Sequence, residues 1–340
     1  MYLKTKIFLT GATGYIGGAC LQRLLEESSF QITALARDAE KARLLNGLGV
    51  ATIVGSLEDS ELLAGAAAAA DVVFHTADAD HLPAIYSLLR GIMRSRHDET
   101  KEAGILIHTS GTGTLRDEAR GMYKSERIYH DDRVEEIESL PPTADHRNVD
   151  MEIVRADQSG CIRSYIVVPS TVWGILTGRL VELGIAHAHS QQMPNAIKAS
   201  IARGQGGMVG KGLNVWPHVE IRELVDMYML ILYAALEDHA PHGREGYFFG
   251  VNGEYQLLDA ARVYTARLHA LDMSQTADPV TWSREDIEKY LRGSEYAGSN
   301  SRARAVRARA LGWMPVRGNA EFYDGIEEEV ESIVRDLKLT

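Results

Sequence analysis

Three groups of residues in this 340-residue chain have the types and spacing to do chemistry. In "HRNVD", His146 stands one helical turn before Asp150, so an imidazole that exchanges protons near neutral pH can be oriented, or made more basic, by a carboxylate. Ser110 in "HTSGTG" offers a hydroxyl able to hold a reacting oxygen. Near the start, Gly11, Gly14 and Gly17 in "FLTGATGYIGGACL" are spaced for a turn that admits a phosphate. The helix start also has a structural reading, in which Asp145 or Thr143 caps it after Pro141 and Pro142 while His146 and Arg147 pack or form ion pairs.

The elements that must position these groups follow from periodicity. Short β-branched runs, "KIFLT" (6–10), "QITALA" (31–36), "ATIVG" (51–55), "DVVFHT" (71–76), "GILIHTS" (104–110) and "SYIVVP" (164–169), alternate with amphipathic stretches such as "YIGGACLQRLLEE". That alternation predicts an α/β fold with a doubly wound parallel sheet. After Gly174 the pattern loosens, and "YFFGV" (247–251) reads as a further strand at the sheet edge. The expected division is a nucleotide-binding domain over 1–174 and a smaller, mostly substrate-binding C-terminal lobe over 175–340, with segments around 213–251 returning to the main sheet. The arginines of 302–309 read as a solvated face paired with glutamates.

A net charge of −11 repels phosphate backbones and anionic lipid, so nucleic acid and membrane surfaces are not the expected partners and a small molecule is. No window approaches the roughly 18 apolar residues of a membrane span, the N-terminal apolar run is too short for a leader, and there are only two cysteines, Cys20 and Cys161. A cytoplasmic, reducing setting is expected. "HAH" at His187 and His189 has spacing poor for a helical metal site and no cysteine or carboxylate companions, so no metal is expected and the pair reads as a lobe loop. Cys161 reads as a packing residue.

Because the glycines follow a strand and open a helix, their context points to a dinucleotide. Gly11 makes the turn, Gly14 lets backbone approach a pyrophosphate, Gly17 permits close helix–strand packing, and Thr13, Tyr15 and Ile16 complete the cradle. At the tip of the second strand Arg37 offers a donor fork for a 2′-phosphate, which favours NADP(H) over NAD(H), while the adjacent Asp38 serves either a ribose hydroxyl or a helix cap. Ser56 and Leu57 after the third strand, and Thr76 and Ala77 after the fourth, occupy strand ends where such ligands bind.

Taken in order, "TGATGYIGG", "ADVVFHTA", "ILIHTSGTG", "IVVPSTVWG", "WPHVEIRELVDMY" and "ALGWMP" resemble the extended short-chain dehydrogenase/reductase superfamily, of the NAD-dependent epimerase/dehydratase kind. The resemblance implies a Rossmann-like NAD(P) domain, a C-terminal substrate lobe, hydride transfer at a carbonyl or alcohol carbon, and pairing of long helices in a homodimer. It places Pro169, Thr171 and Val172 beside the nicotinamide and Ser110 at the substrate oxygen; Thr112 is a further substrate-binding candidate, Trp173 walls the substrate pocket or packs as core, His218 lies near cofactor and substrate or serves structure, and Tyr123, Tyr129 and Trp216 offer an aromatic substrate surface. It also exposes a departure. Members carry Tyr-x-x-x-Lys on the helix after the serine, and none occurs here downstream of Ser110; Lys124 directly follows Tyr123, and Tyr123 and Tyr129 give Tyr-x-x-x-Arg with Arg127 and Arg133. His146 takes the tyrosine's place and Asp150 the lysine's. The expected function is an NADP(H)-dependent oxidoreductase using Ser110 and His146, with Asp150 and Tyr123 as further candidates. The alternatives are a redox sensor that binds cofactor without turnover, of the NmrA-like kind, and a non-redox isomerase, cyclase or lyase.

Overall fold

Apolar runs bounded by turn residues become parallel strands: β1 (Thr5–Thr10), β2 (Phe30–Ala36), β3 (Ala51–Val54), β4 (Val72–His75) and β5 (Gly104–Thr109), interleaved with α1 (Tyr15–Leu24), α2 (Ala39–Gly47), α3 (Ser60–Ala68) and α4 (Leu82–Ser95). The structure is a computed structural model that describes residues 4–95 and 102–339. The chain continues through α5 (Arg147–Asp157), β6 (Ile162–Pro169), β7 (Thr171–Trp173), α6 (Gln192–Arg203), β8 (Val215–Glu220), α7 (Ile221–Leu236), β9 (Tyr247–Gly250), β10 (Gly253–Gln256), α8 (Leu257–Ala270) and α9 (Asn319–Leu339), with shorter turns between.

The main sheet has seven parallel strands in the order β9–β6–β5–β4–β1–β2–β3. Every residue of β4 and β5 is buried, as expected of central strands covered by helices on both faces. Strand order reverses between β1 and β4, and the crevice beyond the strand ends at such a reversal is where open α/β sheets bind ligands. All six sequence-predicted strands are present, and "YFFGV" forms the edge strand β9.

The 213–251 segment divides between the two layers. α7 packs on β5 and β6, and β9 pairs with β6, whereas β8 leaves the main sheet to join a three-stranded sheet, β10–β8–β7. That small sheet leans on a second core, in which Phe322, Ile326, Val330 and Ile333 of α9 form one apolar stripe facing Ala261, Tyr264 and Leu268 of α8. Within the arginine cluster, Arg302 and Arg304 both bond Glu254; Arg302 is buried there and not part of a solvated face. Among the described residues no helix is long and apolar enough to cross a membrane.

Candidate active site

The turn after β1 is built by close backbone contacts. Gly11 has φ +81°, and a Cβ on it would lie 2.6 Å from the Thr76 carbonyl group; a Cβ on Gly17 would lie 2.2 Å from the Gly11 carbonyl oxygen. The Gly14 N–H donates to Gly11 O at 2.9 Å, and Thr76 Oγ1 donates to Thr10 O at 2.7 Å, locking the turn against the end of β4. A Cβ on Gly14 would approach only Gly11 O, at 3.2 Å, because this residue faces the cleft. α1 begins just beyond, with no side-chain cap and no acidic residue in its first turn, so its free N–H groups and the positive end of its dipole are available to an anion. The cradle therefore fits the pyrophosphate of a dinucleotide. Thr13 and Ile16 lie in the same turn, half-buried, and the Tyr15 hydroxyl donates to Gly174 O at 2.5 Å, tying the turn to the start of the second half of the chain.

A cleft of about 580 Å³ starts at Gly14, Tyr15 and Ile16, passes Thr76 and Ala77, and reaches Thr109, Ser110, Ser170 and Val172. Its far wall comes from the lobe: His187 to Gln192, and Lys198 on α6. None of its lining residues is a carboxylate, in a chain of net charge −11. His189 Nδ1 lies 2.6 Å from Oε1 of the buried Glu329, and that hydrogen bond raises the imidazole pKa above its ordinary value, favouring a positive charge on the wall. Away from the glycine turn, Arg37 is exposed at the tip of β2 and makes no hydrogen bond or ion pair with the described residues, while Asp38 caps α2 by accepting from the Lys41 N–H at 2.9 Å. The Ser56 N–H donates to Asp59 at 2.6 Å, and Leu57 packs half-buried against the main core.

At the other end, Ser110 Oγ is 2.9 Å from Asp150 Oδ2. Asp150 is fully buried; behind it His108 Nε2 lies 3.7 Å from Oδ1, and His108 Nδ1 lies 2.9 Å from His75 Nδ1, the two rings stacked at 5.0 Å. Burial pushes the Asp150 carboxyl up to about 7, despite the lowering effect of Ser110, His146 and Arg147, and pushes His75 down to about 4 and His108 down as well. The His108–Asp150 approach is therefore a contact between groups driven toward neutrality, not an ion pair.

His146 does not meet Asp150. It occupies the N-cap of α5 with φ +64°, which swings its side chain off the helical face that Asp150 shares, and its backbone N–H and Nδ1 both engage Asp80 Oδ1, at 3.1 and 2.8 Å. Its Nε2 sits over the Gly111–Gly113 loop, 3.1 Å from where a Gly111 Cβ would be. The expected His146–Asp150 pair is thus replaced by two separate pairs, His146–Asp80 and Ser110–Asp150. Neither Asp145 nor Thr143 caps the helix; Asp145 instead accepts from Arg116 Nε at 2.7 Å.

Several of the candidate site residues have side chains engaged in packing or lie outside the cleft lining. Trp173 and His218 are buried in the second core: Trp173 Nε1 donates to His218 Nδ1 at 3.1 Å, His218 Nε2 then donates to Asn319 Oδ1 at 2.9 Å, and the imidazole stacks on Phe322 at 4.4 Å. Both ring nitrogens are used, and burial holds His218 down at about 4, so it acts as a neutral structural link. Thr171 is buried, its hydroxyl 3.0 Å from both Gln192 Oε1 and the Tyr255 hydroxyl, and Pro169 ends β6 opposite Gly250. Thr112 is buried one turn beyond Ser110, with its carbonyl accepting from Ser301 Oγ. Tyr123 is exposed and outside the cleft lining. Residues that sequence reasoning passed over are Ser170, Gln191, Gln192 and Lys198 in the cleft and the His75–His108 pair behind it, while His187 and His189, read as a loop of the lobe, line the cleft wall. A signal for the pair was available: "VVFHT" and "ILIHT" are parallel neighbours in register, His75 beside His108.

Residues 11–138 match the family model described as NAD(P)H-binding. The chain is 30% identical over 335 residues to the oxidase ucsJ of Acremonium sp, covering 92% of this chain and 94% of that protein. In fold it is similar to UDP-glucose 4-epimerase of Thermotoga maritima, solved with UDP-glucose (TM-score 0.66, 16% identity, 98% of this chain and 100% of that one). It is similar also to dTDP-glucose 4,6-dehydratase of Bacillus anthracis, solved with NAD (TM-score 0.65, 14% identity, 97% of each). With its glycine turn, its seven-stranded parallel sheet and a likeness to the oxidase ucsJ over nearly its whole length, the chain belongs to the same family as that protein, with an NAD(P)H-binding domain and the Rossmann-like fold that the epimerase and dehydratase structures share.

Proposed function

We propose that this protein is an NADP(H)-dependent oxidoreductase that acts on a small carbonyl or alcohol, with Ser110 holding the reacting oxygen. The observation that carries the reading is a single cleft joining the uncapped glycine turn to the Ser110 hydroxyl. The name of the full-length relative, an oxidase, agrees with redox chemistry. When bound, the dinucleotide supplies or accepts a hydride. The chain's own residues hold it: Gly11, Thr13, Gly14, Tyr15, Ile16 and Gly17 at the pyrophosphate, Ser56 and Leu57 toward the adenine, and Thr76 and Ala77 along its middle. Pro169, Thr171 and Val172 lie toward the nicotinamide, Thr171 through its backbone because its hydroxyl is already engaged. Arg37, without a partner among the described residues while Asp38 is committed to the α2 cap, favours the 2′-phosphate.

Mixing the protein with NADPH or NADH and panels of aldehydes, ketones and enones tests the reading. Cofactor oxidation with at least one class, faster with NADPH, is expected; tight cofactor binding with no oxidation by any class overturns it. The departure from Tyr-x-x-x-Lys supports two other readings. A redox sensor would discriminate NADP from NADPH in calorimetry and engage a protein partner, and an isomerase or cyclase would convert substrate without consuming cofactor.

A further inference from the structure

The cleft lining keeps the serine, Ser110, but neither a tyrosine beside it nor His146, which stands in the tyrosine's place, and an isolated serine is too weak an acid to protonate an alkoxide alone. The structure assigns a source for that proton. We propose that Asp150 supplies and recovers the substrate proton through Ser110, with His108 and His75 as positioning residues that hold its carboxyl group; this rests on the oxidoreductase reading above.

Geometry carries the assignment. Ser110 lines the cleft and Asp150 does not, yet their oxygens are 2.9 Å apart, so any proton passing from Asp150 to a ligand goes through Ser110 Oγ. Asp150 is 0% exposed and so shielded from bulk water. His75 Nδ1 and His108 Nδ1, 2.9 Å apart, share one hydrogen; with His75 as its donor, His108 carries its own hydrogen on Nε2 and aims it at Asp150 Oδ1. That Oδ1 and His108 Nε2 are both buried without another partner among the described residues, and 3.7 Å is close enough to tighten into a hydrogen bond once Asp150 becomes charged. The other charged or titratable groups facing Asp150 are His146 and Arg147 on its own helix, Asp80 from the β4–α4 connection, and Tyr247 of β9, whose hydroxyl accepts from Arg147 Nη1 at 2.9 Å. Burial outweighs them, so the carboxyl holds a proton up to about pH 7.

In the reductive direction a reduced dinucleotide, when bound, would supply hydride to the carbonyl carbon, and the C=O π pair would move onto oxygen. That oxygen takes the Ser110 hydroxyl proton as Asp150 Oδ2–H passes its own proton to Ser110 Oγ. The product is the neutral alcohol, and the charge left behind is the Asp150 carboxylate, facing His108 Nε2–H. Water returns a proton through Ser110 after product leaves. Alcohol oxidation runs the same transfers backward.

The test combines infrared spectroscopy with kinetics on the whole chain. Wild type is expected to show the C=O band of a buried carboxylic acid that disappears on titration near pH 7 and is absent from Asp150→Asn. His108→Gln is expected to shift the pH of that titration. With a carbonyl found in the panel above, Asp150→Asn lowers kcat by about 100-fold or more with cofactor affinity within about twofold of wild type, and Asp150→Glu restores part of the rate. Wild-type reduction falls about tenfold per pH unit above 7, a limb that the Asn variant lacks. Should Asp150→Asn not fold, Ser110→Ala leaves the acid in place and is expected to shift the infrared band while abolishing its coupling to turnover. An Asp150 already ionised at pH 5, or an Asn variant that keeps the wild-type rate and pH limb, overturns the proposal. If wild type turns over no carbonyl, the oxidoreductase reading fails by itself, and the infrared titration still decides where the proton is held.

Discussion

The two ends of the cleft are made of different material. At the nucleotide end the decisive atoms are backbone: Gly17 against the Gly11 carbonyl, Gly11 against Thr76, and the free N–H groups of α1. At the proton end they are side chains from three elements, Ser110 and His108 after and within β5, His75 at the end of β4, and Asp150 on α5. A backbone site tolerates many sequences provided that small residues stand at a few positions. A side-chain site depends on what each neighbour does, and one unexpected partner, Asp80 for His146, rearranges it. Within one fold, the binding of a cofactor and the chemistry done with it are thus held by different kinds of atoms and respond differently to substitution.

The largest effect expected from breaking the proton end is on stability. The Asp150 carboxyl has an ordinary value of 3.8 and a folded value of about 7, so the folded chain keeps a proton that the unfolded chain has lost across that window. Stability therefore falls as pH rises from about 4 to about 7 and is flat above. At pH 8 the cost is on the order of 4 kcal/mol. Asp150→Asn removes it, so denaturant melts should find the variant more stable than wild type at pH 8, with the difference vanishing near pH 4. His75 and His108 act in the opposite sense, since their lowered values cost stability as pH falls below about 6.5. A variant no more stable at pH 8 would show that the carboxyl is not held neutral.

The nucleotide end should break differently. Gly17→Ala pushes a methyl into the Gly11 carbonyl and should cost toward the upper part of the 1–3 kcal/mol usual for overpacking, lowering Tm and cofactor affinity together. Gly14→Ala meets only a 3.2 Å contact and faces the cleft, so Tm should hold while dinucleotide affinity drops. Equal loss of Tm in both variants would mean that Gly14 is as tightly packed as Gly17.

These two ends were also unequally legible from sequence. Strand periods and the glycine turn depend on local sterics and burial and follow from short-range pattern, whereas the place where strand order reverses is set by pairing between strands far apart in sequence. The His146–Asp150 spacing promised a pair by the rule that residues four apart share a helix face. That rule holds inside a helix, and His146 stands at its cap in the left-handed conformation. Asp80, 66 residues earlier, could not be chosen from spacing. Trp173 and His218 read as pocket walls because aromatic and imidazole side chains suit both pockets and cores; only the stripe of α9, ending with Phe322 against His218, decides for the core. His187 and His189 lacked companions in sequence because Glu329 lies 140 residues beyond His189.

Smaller changes separate the parts of the nucleotide end. Arg37→Ala should reduce NADPH affinity about tenfold, near the 1.5 kcal/mol of an exposed charge-assisted hydrogen bond, and leave NADH affinity unchanged. Equal affinity of wild type for the two cofactors would remove the 2′-phosphate role.

Lys198 should give the smallest effect, and its pattern should be the reverse. The side chain is exposed on α6, makes no ion pair with the described residues, and lines the cleft on the wall that faces the glycine turn. Its charge acts on whatever anion sits there through solvent, in the range of about 0.2–1 kcal/mol found for exposed pairs. Lys198→Ala should therefore weaken NADPH and NADH alike, by no more than about fivefold, because both carry the pyrophosphate. Raising ionic strength from low salt to about 0.5 M should erase most of that difference, whereas the contacts of the buried turn should persist. A loss confined to NADPH would move Lys198 to the 2′-phosphate beside Arg37. A loss confined to substrate, seen in KM with cofactor affinity intact, would show that the carboxylate-free wall selects an anionic substrate instead.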